Sequence, residues 1–370
     1  MRIINCNNSD PSDIDDQPLT YDKEICQRHT LVFGPETQRN ISQLTIGIGS
    51  VGGLGMILVE QLMRLFPAKL ILIDFDKVEK SNLNRLPGAT TLDARLGTPK
   101  TSLAARHIWK FNPNQQVTIV EGDFLKKENQ LQFRECDVFF SGFDRVGPRL
   151  AANQLCQAHG ILLFDLATGA IVKDGQLTDA GGHVIRITPG SGFCLACAEF
   201  YDKHQASQDF MSMNELSRQQ ALGYVRGANV TAPQVYALNS MVAAWAVWAF
   251  MRTVAGEDLQ FDGIAIDALN WTSSPWVEER KLASYCPTCG INGLAFKGDD
   301  AELLVRIDEL KSIVPPAILA TTKTSAVVDC EVPDSATPVA QTVIAPDPPA
   351  EEGPAEHASP NEAQSDGKGQ

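Results

Sequence analysis

The polar segment at residues 74–85 holds side chains whose types and spacing could carry chemistry. It reads Asp-Phe-Asp-Lys-Val-Glu-Lys-Ser-Asn-Leu-Asn-Arg, and Lys100 follows in a Gly-Thr-Pro-Lys sequence that opens a predicted helix. Fixed cations such as Arg85 and Lys100 stabilise the charge that develops on a leaving pyrophosphate. Hydride transfer to a nicotinamide has no need for them, so the segment favours cleavage of a phosphoanhydride.

A glycine-rich turn stands before this segment, between two apolar runs that predict strands. Gly47, Gly49 and Gly52 have the Gly-x-Gly-x-x-Gly spacing of a nucleotide-binding βαβ unit, and the second strand ends at Asp74. In such a unit Gly47 would allow the tight turn, Gly49 the approach of backbone to phosphate, and Gly52 the packing of helix on strand. Phosphate would lie on the N–H groups at the helix N-terminus, and Asp74 would accept hydrogen bonds from the ribose.

Two Cys-x-x-Cys pairs lie far apart in the sequence, at Cys194 and Cys197 and at Cys286 and Cys289. Each pair offers two thiolates about one turn apart, and the two pairs together could complete a tetrahedral zinc shell. The 88 residues between the pairs are many more than in a zinc finger, and one pair could instead serve as a redox dithiol. The spacing alone leaves a structural zinc and a redox role both open.

These motifs resemble those of the ThiF/MoeB superfamily, the adenylating enzymes related to ubiquitin-activating enzyme. The pattern Asp-x-Asp-x-Val-x-x-Ser-Asn-Leu-x-Arg occurs without a gap at residues 74–85, and the resemblance covers residues 21–292. The family usually has glutamine after the arginine, where this chain has Leu86. The resemblance implies ATP-dependent adenylation of the C-terminal glycine of a small ubiquitin-like or sulfur-carrier protein, with release of pyrophosphate.

The resemblance also implies a role for each matching residue. Asn82, Arg85 and Lys100 would contact the phosphates. Asp144 would ligate the Mg²⁺ that accompanies ATP, and Arg28 would reach the ATP of the partner subunit in a homodimer. The nucleotide site would comprise Gly47, Gly49, Gly52, Asp74, Asp76, Asn82, Arg85 and Lys100. Many members of the family hold a structural Zn²⁺ with two cysteine pairs, so zinc is expected at Cys194, Cys197, Cys286 and Cys289.

Residues 198–232 match the crossover loop that passes over the active site in this family. The family often carries a nucleophilic cysteine there, and this chain has none in that range. We therefore expect the activated carrier to leave as an acyl-adenylate, without a stable thioester on this chain. The alternative is that Cys26 or Cys330 serves as the thiol.

Three other functions stay open. The chain could adenylate a short peptide instead of a folded carrier, or it could be a non-catalytic nucleotide-binding partner in a heterodimer. It could also be a Rossmann oxidoreductase, although Asn82, Arg85 and Lys100 argue against that function. The sequence does not identify the carrier, and it does not separate sulfur transfer from ubiquitin-like conjugation.

The composition argues against several classes of partner and location. The net charge of −14 argues against nucleic acid or an anionic membrane as a partner. The most apolar stretch, residues 241–251, is too short to span a bilayer, which needs about 20 residues. The first residues do not have the pattern of a signal peptide, and we expect a cytoplasmic protein.

The periodicity predicts an α/β fold, with a Rossmann-like sheet, flanking helices, a nucleotide-binding half and an antiparallel extension. We expect an N-terminal arm at residues 1–40, an adenylation domain at residues 41–311 and a disordered, acidic, proline-rich tail at residues 312–370. Arg149 and Asn153 are expected at a helix surface and as a cap. The pattern at residues 302–307 predicts a short amphipathic helix.

Overall fold

The computed structural model describes residues 21–198, 201, 203–211, 233–259, 261–276 and 285–306. The predicted tail, most of the predicted crossover loop and residues 1–20 of the predicted arm lie outside the described residues. The rest of the arm lies in helix α1 (Lys23–Ile41), where the Asp22 side chain caps the first turn. Within the described parts of the chain, every helix is too short or too polar to cross a membrane.

A βαβ unit forms the first half of the fold, as the sequence predicts. Strands β1 (Thr45–Gly49) and β2 (Lys69–Asp74) pair in parallel. Helix α2 (Gly53–Leu62) connects them and is buried over most of its surface. Because both faces of the paired strands are covered, their sequences are continuous apolar runs rather than alternating ones.

Within the residues that the structure describes, eight strands form one sheet in the order β3-β2-β1-β4-β5-β6-β7-β8, and β3 and β8 are its edges. The other strands are β3 (Gln116–Glu121), β4 (Val138–Ser141), β5 (Leu162–Lys173), β6 (Gln176–Ile187), β7 (Gly263–Asp267) and β8 (Thr272–Trp276). The strands from β3 to β5 are parallel, and β6, β7 and β8 add antiparallel pairs. The predicted α/β sheet with an antiparallel extension is confirmed.

Helices cover both faces of the sheet. The remaining helices are α3 (Thr91–Leu96), α4 (Lys100–Phe111), α5 (Lys127–Gln130), α6 (Val146–His159), α7 (Leu195–Ala198), α8 (Lys203–Asp209) and α9 (Tyr236–Val254). Leu70 and Leu72 of β2 join the apolar core that contains α2, α4 and α9. Ile71 and Ile73 join the core on the α6 face. Successive side chains of one strand thus stabilise opposite layers.

The glycines of the Gly-x-Gly-x-x-Gly motif have structural roles that differ from the predicted ones. Gly47 lies inside β1, where an added Cβ would stand 2.8 Å from both Phe133 and Phe139, so the prediction that it forms the turn is wrong. Gly49 ends the same strand, and a Cβ there would overlap the ring of Phe143. The turn falls instead on Ser50, with a φ of 67° that favours glycine.

Close packing of helix on strand depends on Gly55 rather than on Gly52. A Cβ on Gly52, the N-cap of α2, would meet the Ser50 Oγ at 3.4 Å. A Cβ on Gly55 would overlap the Ser50 carbonyl oxygen. The predicted packing role of Gly52 is therefore wrong, and its open Cα makes it the glycine at which a ligand can approach the backbone.

The predicted amphipathic helix at residues 302–307 is also wrong where the structure describes it. Residues 302–306 have no helical structure. They dock by backbone hydrogen bonds instead, with Arg306 N donating to the Leu125 carbonyl at 3.1 Å and Gln130 Nε2 donating to the Leu304 carbonyl at 2.7 Å.

We expect Gly55→Ala to destabilise the fold by at least about 1–3 kcal/mol, because the added methyl group forces the Ser50 carbonyl and the start of α2 apart. Thermal unfolding followed by circular dichroism measures the change. Gly169→Ala is the matched control, since a Cβ at Gly169 has no neighbour within 4 Å. Equal melting temperatures for the two variants would contradict the packing role of Gly55.

Candidate functional site

A cavity of 560 Å³ opens at the carboxyl ends of the parallel strands. Its volume lies within the range of about 300–1,000 Å³ that small-molecule sites occupy, and nucleotides bind at this end of open α/β sheets. Arg28 is exposed on α1, and the cavity lining does not include it, Gly47 or Gly49. The other predicted nucleotide-site residues line the cavity: Gly52, Asp74, Asp76, Asn82, Arg85, Lys100 and Asp144.

The Asp74 carboxylate joins the end of β2 to the glycine-rich turn. One oxygen accepts hydrogen bonds from Val51 N at 2.9 Å and from Ser50 Oγ at 3.2 Å, and the other accepts from Asp76 N at 2.8 Å. Burial raises the pKa of Asp74, while the nearby Lys100 charge and the backbone N–H groups oppose that rise. Asp74 therefore fixes the turn and still faces the cavity.

Lys100 enters the cavity from the first position of α4. Its Nζ lies 2.7 Å from Asp76 Oδ2, and its backbone N donates to the Asp76 carbonyl at 3.0 Å. The lysine side chain is 12% exposed and that of Asp76 is 51% exposed. The ion pair thus holds a largely buried cation in place at the cavity wall.

Asn82 is the last residue of a short 3₁₀ turn (Lys80–Asn82), and Arg85 lies three residues after it. The Asn82 side chain accepts from Glu79 N at 3.1 Å and so stabilises this turn. Arg85 donates from Nη1 to the Ser81 carbonyl at 2.6 Å and lines the cavity. Leu86, where the family usually has glutamine, is buried and joins the apolar core.

Asp144 is exposed at the cavity, directly before helix α6. The N-terminus of that helix is capped by Asp209 from α8, in the described part of the predicted crossover loop. Asp209 accepts from Arg145 Nε at 2.7 Å and from Gly147 N at 2.8 Å. This double contact ties α8 to the cavity wall that Arg145 lines.

Arg149 is not at a helix surface, and that prediction is wrong. It is buried at the cavity, where Nε donates to Asp165 Oδ1 at 3.0 Å and Nη2 to Oδ2. Ser141 Oγ donates to Asp165 at 2.9 Å, and His183 Nε2 lies 2.9 Å from Arg149 Nη2. Asn153 is buried as well, and its side chain accepts at 3.0 Å from the backbone N of Leu195, the first residue of α7.

Asp165 has a pKa that its surroundings lower. Burial raises the pKa, but the Arg149 charge and the hydrogen bonds from His183 and Arg149 outweigh burial and hold it at about 2. The sequence contains a signal for this residue, since Asp165 directly follows the apolar run at residues 161–164, which predicts a buried strand. Its ion pair orients Arg149 at the floor of the cavity.

The cavity has the size and the charged groups to hold a nucleoside triphosphate. Lys100 and Arg85 supply positive charge on one side, and the N-terminus of α2 begins at Gly52, where backbone N–H groups lack intrahelical acceptors. Asp144 offers carboxylate oxygens, which are the ligands that Mg²⁺ prefers. Cations, helix terminus and carboxylate surround one space, as the binding of a phosphate chain with Mg²⁺ requires.

The four predicted zinc ligands meet at one point. Their sulfur atoms all lie within 4.8 Å of one another, with Sγ–Sγ distances of 3.8 Å for Cys194–Cys197, 3.8 Å for Cys194–Cys286 and 3.5 Å for Cys197–Cys289. Four sulfurs at about 2.3 Å from a tetrahedral Zn²⁺ lie about 3.8 Å apart. The cluster therefore fits a structural zinc ion better than it fits one isolated redox dithiol.

The charge distribution among these thiols also favours a cation. The hydrogen bonds that Cys194 donates to Cys286 and Cys289, together with burial, raise the pKa of Cys194 far above its usual range. The hydrogen bond from Cys194 is the main cause that lowers the pKa of Cys286 to about 4. A divalent ion would favour the thiolate form of all four.

A model of the ThiF family matches residues 26–291. Ubiquitin-like modifier-activating enzyme 5 of Drosophila willistoni is 32% identical over 170 residues, which are 43% of this chain and 39% of that protein. The protein of the same name from Xenopus laevis is 27% identical over 175 residues, 44% of this chain and 42% of that protein. The match thus spans less than half the length of these curated relatives.

Solved structures share the fold. E. coli MccB with ATP has a TM-score of 0.56 at 15% identity, over 74% of this chain and 76% of that chain. PaaA has a TM-score of 0.54 at 18% identity, over 74% of this chain and 87% of that chain. At these identities the likeness concerns the fold alone.

We expect about one zinc ion per chain, because the four thiolates complete a tetrahedral shell. Cys286→Ser should lower both the metal content and the melting temperature, since the free energy of binding a structural metal is also free energy of folding. Metal analysis of protein purified under reducing conditions without chelators measures the content. Cys26→Ser is the control for the metal content, because Cys26 is buried in a separate cluster. Wild-type protein without zinc would contradict the assignment.

We expect Arg149→Ala to destabilise the fold by about 3–5 kcal/mol at neutral pH, because it removes the arginine charge that pairs with the buried Asp165 carboxylate. The folded-state pKa of Asp165 is depressed, so the pair contributes fully above the ordinary Asp pKa of about 3.9. That contribution is lost as the pH falls toward the folded-state pKa of about 2. Urea unfolding across this range should show the two proteins converging in stability.

Arg252→Ala is the control for this measurement. It breaks an ion pair with Glu257 in which the arginine is 32% and the glutamate 42% exposed. Exposed pairs contribute at most about 1 kcal/mol. A loss at Arg149 no larger than the loss at Arg252 would show that the buried pair is dispensable.

Proposed function

The chain belongs to the ThiF family, and we propose that it is an adenylyltransferase that activates a C-terminal carboxylate with ATP. The observation that carries this proposal is the convergence of Lys100, Arg85 and Asp144 on one cavity beside the N-terminus of α2. Hydride transfer to a nicotinamide does not require these charged groups. The family and the cavity support the same reaction class.

The chain's own residues would act by positioning and by charge. The phosphates lie against the N-terminus of α2 and the open Cα of Gly52, and Asp74 holds the adjoining turn while it accepts from the ribose. Lys100 and Arg85 donate to phosphate oxygens and stabilise the charge on the leaving pyrophosphate. Asp144 would hold Mg²⁺, which when bound neutralises part of the phosphate charge.

The reaction is a substitution at the α-phosphorus of ATP. An oxygen of the substrate carboxylate forms a bond to that phosphorus as the bond to pyrophosphate breaks, which leaves an acyl-adenylate. The gain in rate comes chiefly from holding the two reactants in line. Arg149, oriented by Asp165, adds a further cation at the floor of the same cavity.

The proposed substrate is a small ubiquitin-like or sulfur-carrier protein with a C-terminal glycine. The name ubiquitin-like modifier-activating enzyme 5, carried by the relatives in Drosophila and Xenopus, supports a partner of this class. A short peptide with a free carboxylate would react by the same chemistry and is the alternative substrate. We assign the activity to residues 41–311, between an N-terminal arm and a C-terminal tail.

The acyl-adenylate would leave the enzyme without a stable thioester. The sequence has no cysteine at residues 199–232. Cys26 is fully buried, and burial raises its pKa to about 11, so it lacks both the access and the thiolate character of a nucleophile. Cys330 lies outside the described residues and is the thiol that a non-reducing gel must test.

Arg28 is the part of the proposal that needs a second copy of the chain. It is exposed on α1, away from its own cavity lining. In a homodimer it would reach the nucleotide of the partner subunit. Co-expressed Arg28→Ala and Lys100→Ala chains would then rebuild one complete site in each mixed dimer.

We expect Lys100→Ala and Arg85→Ala each to lower ATP–pyrophosphate exchange by about 10²–10³, because each removes a preorganised charge at the phosphates. The assay uses small candidate carriers that end in Gly-Gly, with C-terminally amidated forms as substrates that cannot react. The wild-type chain should exchange pyrophosphate with the free carboxylate form alone.

Lys110→Ala and Arg95→Ala are matched controls. Lys110 is exposed in the last turn of the helix that Lys100 begins, and Arg95 is exposed on α3; neither belongs to the cavity lining. Both variants should keep wild-type exchange. Near wild-type exchange in the Lys100 or Arg85 variant would contradict the phosphate-site assignment.

A further inference from the structure

The segment at residues 301–306 contacts the residues that follow β3, through Asp123 and Leu125, and brings Arg306 into the cavity lining. Its backbone is held on both sides, since Leu304 N donates to Gln154 Oε1 at 2.8 Å and its carbonyl accepts from Gln130 Nε2 at 2.7 Å. Val305 is buried beside it. The segment is a fixed part of the cavity wall, although it lies more than 200 residues after the glycine-rich turn.

Arg306 is oriented by Asp123, which also lines the cavity. Arg306 Nη2 lies 2.5 Å from Asp123 Oδ2, while Asp123 Oδ1 accepts from Leu125 N at 2.9 Å. The side chains are 13% and 21% exposed. Ion pairing at this level of burial holds the planar guanidinium in one orientation.

The sheet order tells which end of a nucleotide this pair would meet. Asp74 at the end of β2 marks the ribose, and the N-terminus of α2 marks the phosphates. Asp123 follows β3, the neighbour of β2 on the side away from β1, and Gly122 N donates to the Asp74 carbonyl at 3.2 Å. A nucleotide whose phosphates lie at α2 and whose ribose lies at Asp74 would therefore place its base near Asp123 and Arg306.

We propose that Arg306, oriented by Asp123, is a nucleotide-binding residue that closes the base end of the cavity. The inference rests on the proposed function, because it takes an adenosine nucleotide as the ligand. The guanidinium lines the cavity and offers a flat, charged face to the base. The last described segment of the chain would thus complete the site that the first βαβ unit begins.

The test compares the binding of ATP with that of inorganic tripolyphosphate, which lacks base and ribose. Arg306→Ala should weaken ATP binding about tenfold to a hundredfold, the value of one or more charge-assisted contacts, and should leave tripolyphosphate binding unchanged. Lys100→Ala should weaken the binding of both ATP and tripolyphosphate. In the exchange assay Arg306→Ala should raise the KM for ATP with little change in kcat, since the base end is remote from the reacting phosphorus.

Arg134→Ala is the matched control. Arg134 pairs with Asp299 at 3.6 Å and so also ties the C-terminal segment to the core, but it is not in the cavity lining. It should bind ATP as the wild type does. A purely structural role for Arg306 would reduce the active fraction without a selective loss of ATP over tripolyphosphate, and that result would overturn the proposal.

Arg306→Gln and Asp123→Asn keep the measurement decisive if Arg306→Ala fails to fold. Asp123→Asn preserves the shape of the carboxylate, and Arg306→Gln keeps a shorter polar side chain with an N–H donor. Both should show smaller losses of the same selective kind. Wild-type ATP affinity in both would overturn the inference and leave the proposed function intact. A wild-type chain that binds no ATP would overturn both.

Discussion

The hydrogen bonds that the Asp74 carboxylate accepts are the constraint on which the rest of the site depends. They tie the end of β2 to the turn after β1, where Ser50 has a left-handed conformation, and they also fix the backbone of Asp76. Asp76 in turn holds Lys100 at the start of α4. One buried carboxylate thus sets the position of a helix N-terminus and, through one ion pair, of the main cation of the cavity.

Local sequence was enough to predict the βαβ unit and the polar segment after it, because strand, turn, helix and acid follow one another within about 30 residues. The structural role of each glycine could not be predicted from local sequence. Gly47 and Gly49 are required by the rings of Phe133, Phe139 and Phe143, which come from distant parts of the sequence. The sequence pattern predicts the strand or helix in which a glycine lies. Tertiary contacts determine which neighbouring atoms occupy the space that a Cβ would fill.

Long-range pairs account for the other errors. Arg149 at helical spacing looks like a surface residue until β5 brings Asp165 against it. Residues 302–306 have the apolar spacing of a helix, yet hydrogen bonds to Gln130, Gln154 and Leu125 hold them without one. Intrinsic helix propensity is a weak preference. In a segment of only five residues it is outweighed by neighbouring groups that satisfy the backbone hydrogen bonds without a helix. The roles proposed for Arg28 and Asp144 stay predictions.

The edge strand β8 has a consequence for how other chains can approach. An edge strand is a template for lateral pairing, because its outer row of backbone groups can add a further strand. Pro275 lies within β8, opposite Ile264 of β7, and proline has no N–H to donate. Growth of the sheet past this edge is therefore disfavoured. A protein that approached this side of the molecule would contact it through side-chain packing rather than by continuing its ladder of hydrogen bonds.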